Sequence, residues 1–205
     1  MKKILLSIGA ILSVAALNAQ ILTASDAAAF GTWSAIDADQ DTYTWGLYDL
    51  TGVGSSIDGQ GECAISFSWG DPGQGQGNET ALTPDNWLIS PAMNLTGYTA
   101  ASLSFAAGTI ENTTFFAENY SVYIVTAADA TALATALATA TPAFTEVLPA
   151  GDAMQPHTVS MTSFAGQNNV YVAFRHHNCT DMYTLVLDDV VVSGTASIEE
   201  NTVTA

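Results

Sequence analysis

The sequence predicts an all-β domain, a sandwich or barrel, and three observations carry that reading. Short runs of β-branched and aromatic residues recur along the chain, separated by Gly, Asn, Asp and Pro. The composition includes 16 glycines and 6 prolines, enough to supply the turns. Hydrophobic residues make up 48% of the chain and charged residues only 11%, so there is material for a core and no resemblance to a disordered polyelectrolyte. At 205 residues the chain fits one domain plus a tail.

Taken in order, Met1-Lys2-Lys3, the apolar run Ile4 to Leu17 and the small-residue exit Asn18-Ala19-Gln20 have the form of a secretory signal peptide. Cleavage is expected after Ala19, leaving a domain over 20–194. The apolar run is shorter than the roughly 20 residues a spanning helix needs, and no later run is long enough, so no membrane insertion is expected. The clearest strands are Ala64 to Trp69, Trp87 to Ser90, Ser102 to Ala106, Tyr120 to Thr126, Asn169 to His176 and Thr184 to Ser193. In Tyr120 to Thr126 both alternating sets, Val122 and Ile124 against Tyr123 and Val125, are apolar. Such a strand is covered on both faces and belongs in the middle of a sheet. From Asp129 to Pro142 the pattern breaks. Leu133 and Leu137 stand four residues apart behind an Asp129 N-cap, which predicts one short flanking helix. The run Asp71 to Gly77 carries three glycines without a following Lys, so it reads as a surface loop and not a phosphate cradle. Residues 195–205 turn polar and read as a flexible tail or the start of a linker.

Charge narrows the partners. The chain carries 3 Lys+Arg against 20 Asp+Glu, and removal of the leader leaves Arg175 as the one basic residue. Nucleic acid and anionic membrane surfaces both need clustered Lys/Arg, so neither is a partner. The two cysteines, Cys63 and Cys179, suit an oxidising compartment and a single long-range disulfide, with two free thiols as the alternative.

Candidate chemistry is concentrated in acids. Asp37, Asp39 and Asp41 alternate within one turn, the spacing by which hard oxygen ligands converge on Ca²⁺. The loop is not an EF-hand, because Thr42 and Tyr48 occupy the positions of its Gly and Glu. Three mutually repelling carboxylates without a neighbouring cation favour a bound ion over a bare acidic turn. A second pair, Asp188-Asp189, interrupts the most apolar strand, so one of the two must face the core edge or a cation and the other solvent. Catalytic signals are weak. His176 and His177 are strand neighbours that point apart, which argues against a shared zinc, and no nucleophile elbow or metalloprotease motif is present. Arg175 reads as the structural partner of an acid. Phe115-Phe116, an apolar pair between polar runs, is the candidate contact site.

Four segments taken together resemble a known family. Trp33-Ser-Ala-Ile-Asp-Ala-Asp-Gln-Asp to Trp45, Asp85-Asn-Trp-Leu-Ile-Ser-Pro91, Val172-Ala-Phe-Arg-His-His-Asn-Cys-Thr-Asp-Met-Tyr183 and Leu187-Asp-Asp-Val190 are similar, in order and spacing, to the cleaved-adhesin or haemagglutinin domains of gingipain-type secreted proteins. The resemblance covers about Thr32 to Gly194. It implies a jelly-roll β-sandwich of the MAM-like group, ordered by calcium and used as a binding module. Its cation ligands would be Asp37, Asp39 and Asp41 together with Asp188 or Asp189. Gln40 and Thr42 stand where the family's loop has glycines, which leaves the winding of the loop open. Ser197 to Asn201 looks like the linker that precedes a type IX sorting domain, and so like part of a longer precursor.

The expectation is therefore a secreted or cell-surface, non-catalytic, adhesin-like module with structural Ca²⁺ that contacts a host or matrix protein or a glycan. The alternative is a carbohydrate-binding module accessory to a secreted hydrolase or peptidase.

Overall fold

The computed structural model describes residues 17–52, 57, 61–70, 79–111, 113–151 and 153–197. The chain opens with β1 (Asn18–Ala24), a one-turn helix α1 (Ala27–Phe30), β2 (Ser34–Asp37), β3 (Gly46–Asp49) and β4 (Glu62–Phe67). Next come β5 (Trp69–Gly70), β6 (Thr80–Ala81), β7 (Asp85–Ile89), β8 (Tyr98–Gly108) and β9 (Asn119–Thr126). Helix α2 (Ala130–Thr139) leads to β10 (Phe144–Val147), β11 (Gln155–Ser160), β12 (Val170–His177) and β13 (Thr184–Ala196).

Two antiparallel sheets face each other. One has the order β11-β8-β13-β4-β3, with β1 also on β13; the other has the order β10-β9-β12-β7-β2. The long strand β13 shares one edge between two partners, β4 along Thr184 to Leu187 and β1 along Val190 to Thr195. Leu103, Phe105, Leu185, Leu187, Val190 and Val192 from the first sheet meet Leu88, Val122, Ile124, Val172 and Phe174 from the second in one buried cluster. At about 25 cal/mol per Å² of apolar surface removed from water, this layer is the main favourable contribution to folding. This is the β-sandwich the sequence implies.

The doubly apolar strand lies where its pattern placed it, with β9 between β10 and β12. Val122 and Ile124 enter the main core, while Tyr123 and Val125 pack with Leu137 beneath α2. Asp129 caps α2, its side chain accepting the Ala132 N–H at 2.9 Å. Among the described residues no helix is long and apolar enough to cross a membrane.

Several boundaries differ from the reading of the sequence. Strand β1 begins at Asn18 and pairs Ala19 with Gly194, so the expected cleavage point falls inside a paired strand; residues 1–16 lie outside the described residues. The ordered domain runs past Gly194, because Thr195 and Ala196 pair with β8 and Ser197 N–H donates to the Gly97 carbonyl. Residues 198–205 and the glycine loop 71–77 lie outside the described residues. The expected disulfide is absent, and both cysteines are free thiols. Cys63 packs with Leu50, Ile57, Ile65 and Val186 in a small cluster, whereas Cys179 lies against His176. An oxidising setting permits a bridge but does not bring two sulfurs into bonding geometry.

Candidate functional site

The acidic loop follows β2, an edge strand whose Asp37 pairs with Asn86 of β7. Asp37 closes the turn by accepting the Gln40 N–H at 2.7 Å and the Thr42 N–H at 2.9 Å, and Asp41 accepts the Tyr43 N–H at 2.8 Å. Gln40 and Thr42 adopt φ of 63° and 76°. The loop thus takes the left-handed winding that glycine would take freely, and the β-branched Thr42 takes it under strain. Asp37, Asp39 and Asp41 each bring one carboxylate oxygen within 4.8 Å of the others. Burial and the Asp41 charge push the Asp39 carboxyl above its ordinary range; burial and the Asp37 charge do the same to Asp41. Hard oxygen donors crowded this way fit a divalent calcium-like ion.

Asp188 and Asp189 do not join this group. Alternation along β13 turns Asp188 to the face that carries Val186 and Cys63, away from the main core, where it is 3% exposed. Asp189 is exposed at φ 52°, in a bulge where the register with β8 slips between Asp188 and Val191. Asp188 closes the bulge by accepting the Asp189 N–H at 2.7 Å. Burial raises its carboxyl to about 6, with Asp189 adding to the rise. The shell expected from the resemblance, three loop carboxylates joined by Asp188 or Asp189, is not assembled: the cluster holds Asp37, Asp39 and Asp41 alone. The two acidic stretches sit in different sheets, and among the described residues only the first forms a cluster.

A second constellation was missed. His176, wholly buried on β12, points one ring nitrogen at Ser66 Oγ (2.8 Å) and the other at Glu118 Oε2 (2.9 Å), with Cys179 Sγ 3.2 Å from that same Nε2. Glu118 Oε1 accepts from the Ser68 hydroxyl at 2.7 Å and the Tyr183 N–H at 2.8 Å. Burial alone would raise the Glu118 carboxyl, but His176 and Ser68 hold it below its ordinary range. Burial and the Glu118 charge push the Cys179 thiol up. His177 points the other way, to Ser121 Oγ at 2.9 Å, as strand alternation requires. The signal available in the sequence was the three-residue spacing of His176 and Cys179. Glu118 gave none.

The loop after β12 also builds a cleft. Ser68 Oγ accepts the N–H groups of Met182 and Tyr183 at 3.1 Å, which ties this loop to β4 and β5. Asn178 and Asp181 supply left-handed turns at φ 55° and 57°. The result is a cavity of about 460 Å³ lined by Trp69, Glu111, Phe115, Asp181, Met182 and Tyr183. Trp69 and Tyr183 meet edge to face at 6.1 Å, and Phe115 is 45% exposed at the rim. Phe116 does not line it. Arg175 makes the structural pair expected of it, with two bonds to Asp85 at 2.6 and 2.7 Å.

Comparison with known proteins fits this architecture. The family model of the Cleaved Adhesin Domain matches residues 21–192. Hemagglutinin A of Porphyromonas gingivalis is 32% identical over 184 residues, covering 84% of this chain and 8% of the relative. Gingipain R1 of the same species is 31% identical over 172 residues, covering 78% of this chain and 9% of the relative. The chain thus spans less than a tenth of either of these proteins. The crystal structure of the K3 cleaved adhesin domain of Lys-gingipain from P. gingivalis superposes with a TM-score of 0.62 at 28% identity, covering 86% of this chain and 98% of that one. The K1 domain of the same protein gives 0.61 at 26% identity, covering 90% and 100%. With sequence and fold in agreement over nearly the whole described domain, this chain belongs to the cleaved adhesin domain family.

Proposed function

We propose that the chain is an extracellular, non-catalytic adhesin module that captures a protein or glycan partner in the cleft of Trp69, Phe115 and Tyr183. The cleft carries this reading. Exposed Phe115 and half-buried Trp69 and Tyr183, beside the carboxylates of Glu111 and Asp181, offer stacking area and acceptors at one place. In a chain of net charge −17 those carboxylates favour a basic segment of a protein partner. Family membership supports the non-catalytic reading. Calcium at Asp37, Asp39 and Asp41 would order the edge of the second sheet without entering the cleft. The second reading, a carbohydrate-binding module, rests on the same aromatics.

One set of binding experiments separates the two readings. Immobilised matrix proteins and a glycan array are probed with the native chain and with Phe115→Ala and Trp69→Ala. Each truncation should weaken binding about tenfold, the scale of an aromatic anchor worth one to two kcal/mol. Binding to sugars alone would favour the second reading, and full binding by both variants would remove the cleft from either. Calcium should raise the melting temperature and EDTA lower it. Unchanged melts would dismiss the ion.

A further inference from the structure

We propose that Glu118, His176 and Cys179 form a zinc site, separate from the acidic loop and from the aromatic cleft. Oε2, Nε2 and Sγ, one donor atom from each residue, lie within 4.8 Å of one another. They come from the start of β9, from β12 and from the turn that follows it. The left-handed Asn178 brings Cys179 back under His176 in that turn.

Three features argue for an ion over a simple hydrogen-bond cluster. An imidazole nitrogen has a single in-plane direction for a proton or a metal, yet Nε2 faces both Glu118 at 2.9 Å and Cys179 at 3.2 Å. A tetrahedral ion with bonds of about 2.0 to 2.3 Å holds its ligand atoms roughly 3.3 to 3.7 Å apart, so the two contacts of Nε2, at 2.9 and 3.2 Å, need to open by only a few tenths of an ångström. The outer side of two ligands is already tied: Ser66 sits on His176 Nδ1 and itself accepts from Asn86, while Ser68 and Tyr183 hold the free oxygen of Glu118. Such outer partners orient metal ligands.

Access and charge complete the case. Cys179 lines a surface cavity of about 310 Å³ beside Asp85, Arg175 and His177, so the cluster is approached from solvent on its thiol side. Carboxylate and thiolate together offset the two positive charges of the ion. Mixed sulfur, nitrogen and oxygen donors select zinc over calcium or magnesium.

The test uses the whole chain, stripped with a chelator and titrated with Co²⁺ as a spectroscopic stand-in for zinc. One equivalent should produce a thiolate-to-cobalt charge-transfer band with tetrahedral ligand-field bands, and Zn²⁺ should abolish them. Cys179→Ser should lose the charge-transfer band and weaken Zn²⁺ binding at least tenfold, whereas Cys63→Ala should keep both. In the unaltered chain Zn²⁺, but not Ca²⁺, should protect Cys179 from alkylation, read by peptide mass spectrometry. No band in the native chain, a band that survives Cys179→Ser, or alkylation indifferent to Zn²⁺ would each overturn the proposal.

Discussion

Replacing Asp188 with Asn tests how the central strand tolerates a buried carboxyl. Asp188 is 3% exposed beside Val186 and Cys63, and its carboxyl is raised from 3.8 to about 6 by burial. Each pH unit of difference between folded and unfolded chain corresponds to about 1.4 kcal/mol, so the ionised form costs the fold roughly 2 to 3 kcal/mol. The sign follows from which state holds the proton more tightly. An acid with a raised folded value costs nothing well below 3.8, where both states are protonated. Its penalty grows as pH rises through the interval from about 4 to 6 and is complete above it. Asn keeps an oxygen to accept the Asp189 N–H and cannot ionise. Urea unfolding in EDTA at pH 4, 6 and 8 should therefore show the variant close to the native chain at pH 4 and about 2 to 3 kcal/mol more stable at pH 8. A difference of constant size at all three values, or a less stable variant at pH 8, would refute the assignment.

Thr42→Gly should relieve the left-handed strain at φ 76° and raise stability by up to about 1 kcal/mol, after the extra entropy of glycine in the unfolded chain is counted. A lowered melting temperature would show that Thr42 is held there without strain. Phe174→Ala removes a ring that packs 5.1 Å from Phe105 and 6.2 Å from Trp33 at the interface of the two sheets. A loss of about 3 to 5 kcal/mol in denaturant titration is expected, and a loss under 1 kcal/mol would mean that this layer repacks.

The sandwich was legible because its central strands are apolar on both faces or nearly so. β9, β12 and β13 announce themselves, and so does α2 through Asp129 and its leucine spacing. The peripheral strands did not. β2 and β3 are four residues each with mostly exposed side chains, so they have little alternation to show. β1 was absorbed into the reading of the leader, because its first residues are the small polar ones of a cleavage site. The acidic loop was legible from spacing alone, since its three carboxylates are local. The Glu118, His176 and Cys179 group was not, because Glu118 meets His176 across 58 residues of chain and stands in a run that reads as polar surface. Asp188 illustrates a different failure. The strand pattern required one acid of the pair to turn inward, but only the bulge at Asp189 decides which one.

The shared edge of β13 has a bearing on how the chain acquires its shape. Residues 18–24 and 62–67 are translated long before residues 184–196, yet both wait for that segment as their common partner. Pairings this remote place the domain among the slow folders, on the scale of milliseconds to seconds, because the entropy of closing so large a loop is met before any contact repays it. Until that last clasp is made, the nascent polypeptide stays pliable, with its greasy segments within reach of chaperones and proteases. A single cut within residues 184–196 would accordingly undo the first sheet from its middle outward.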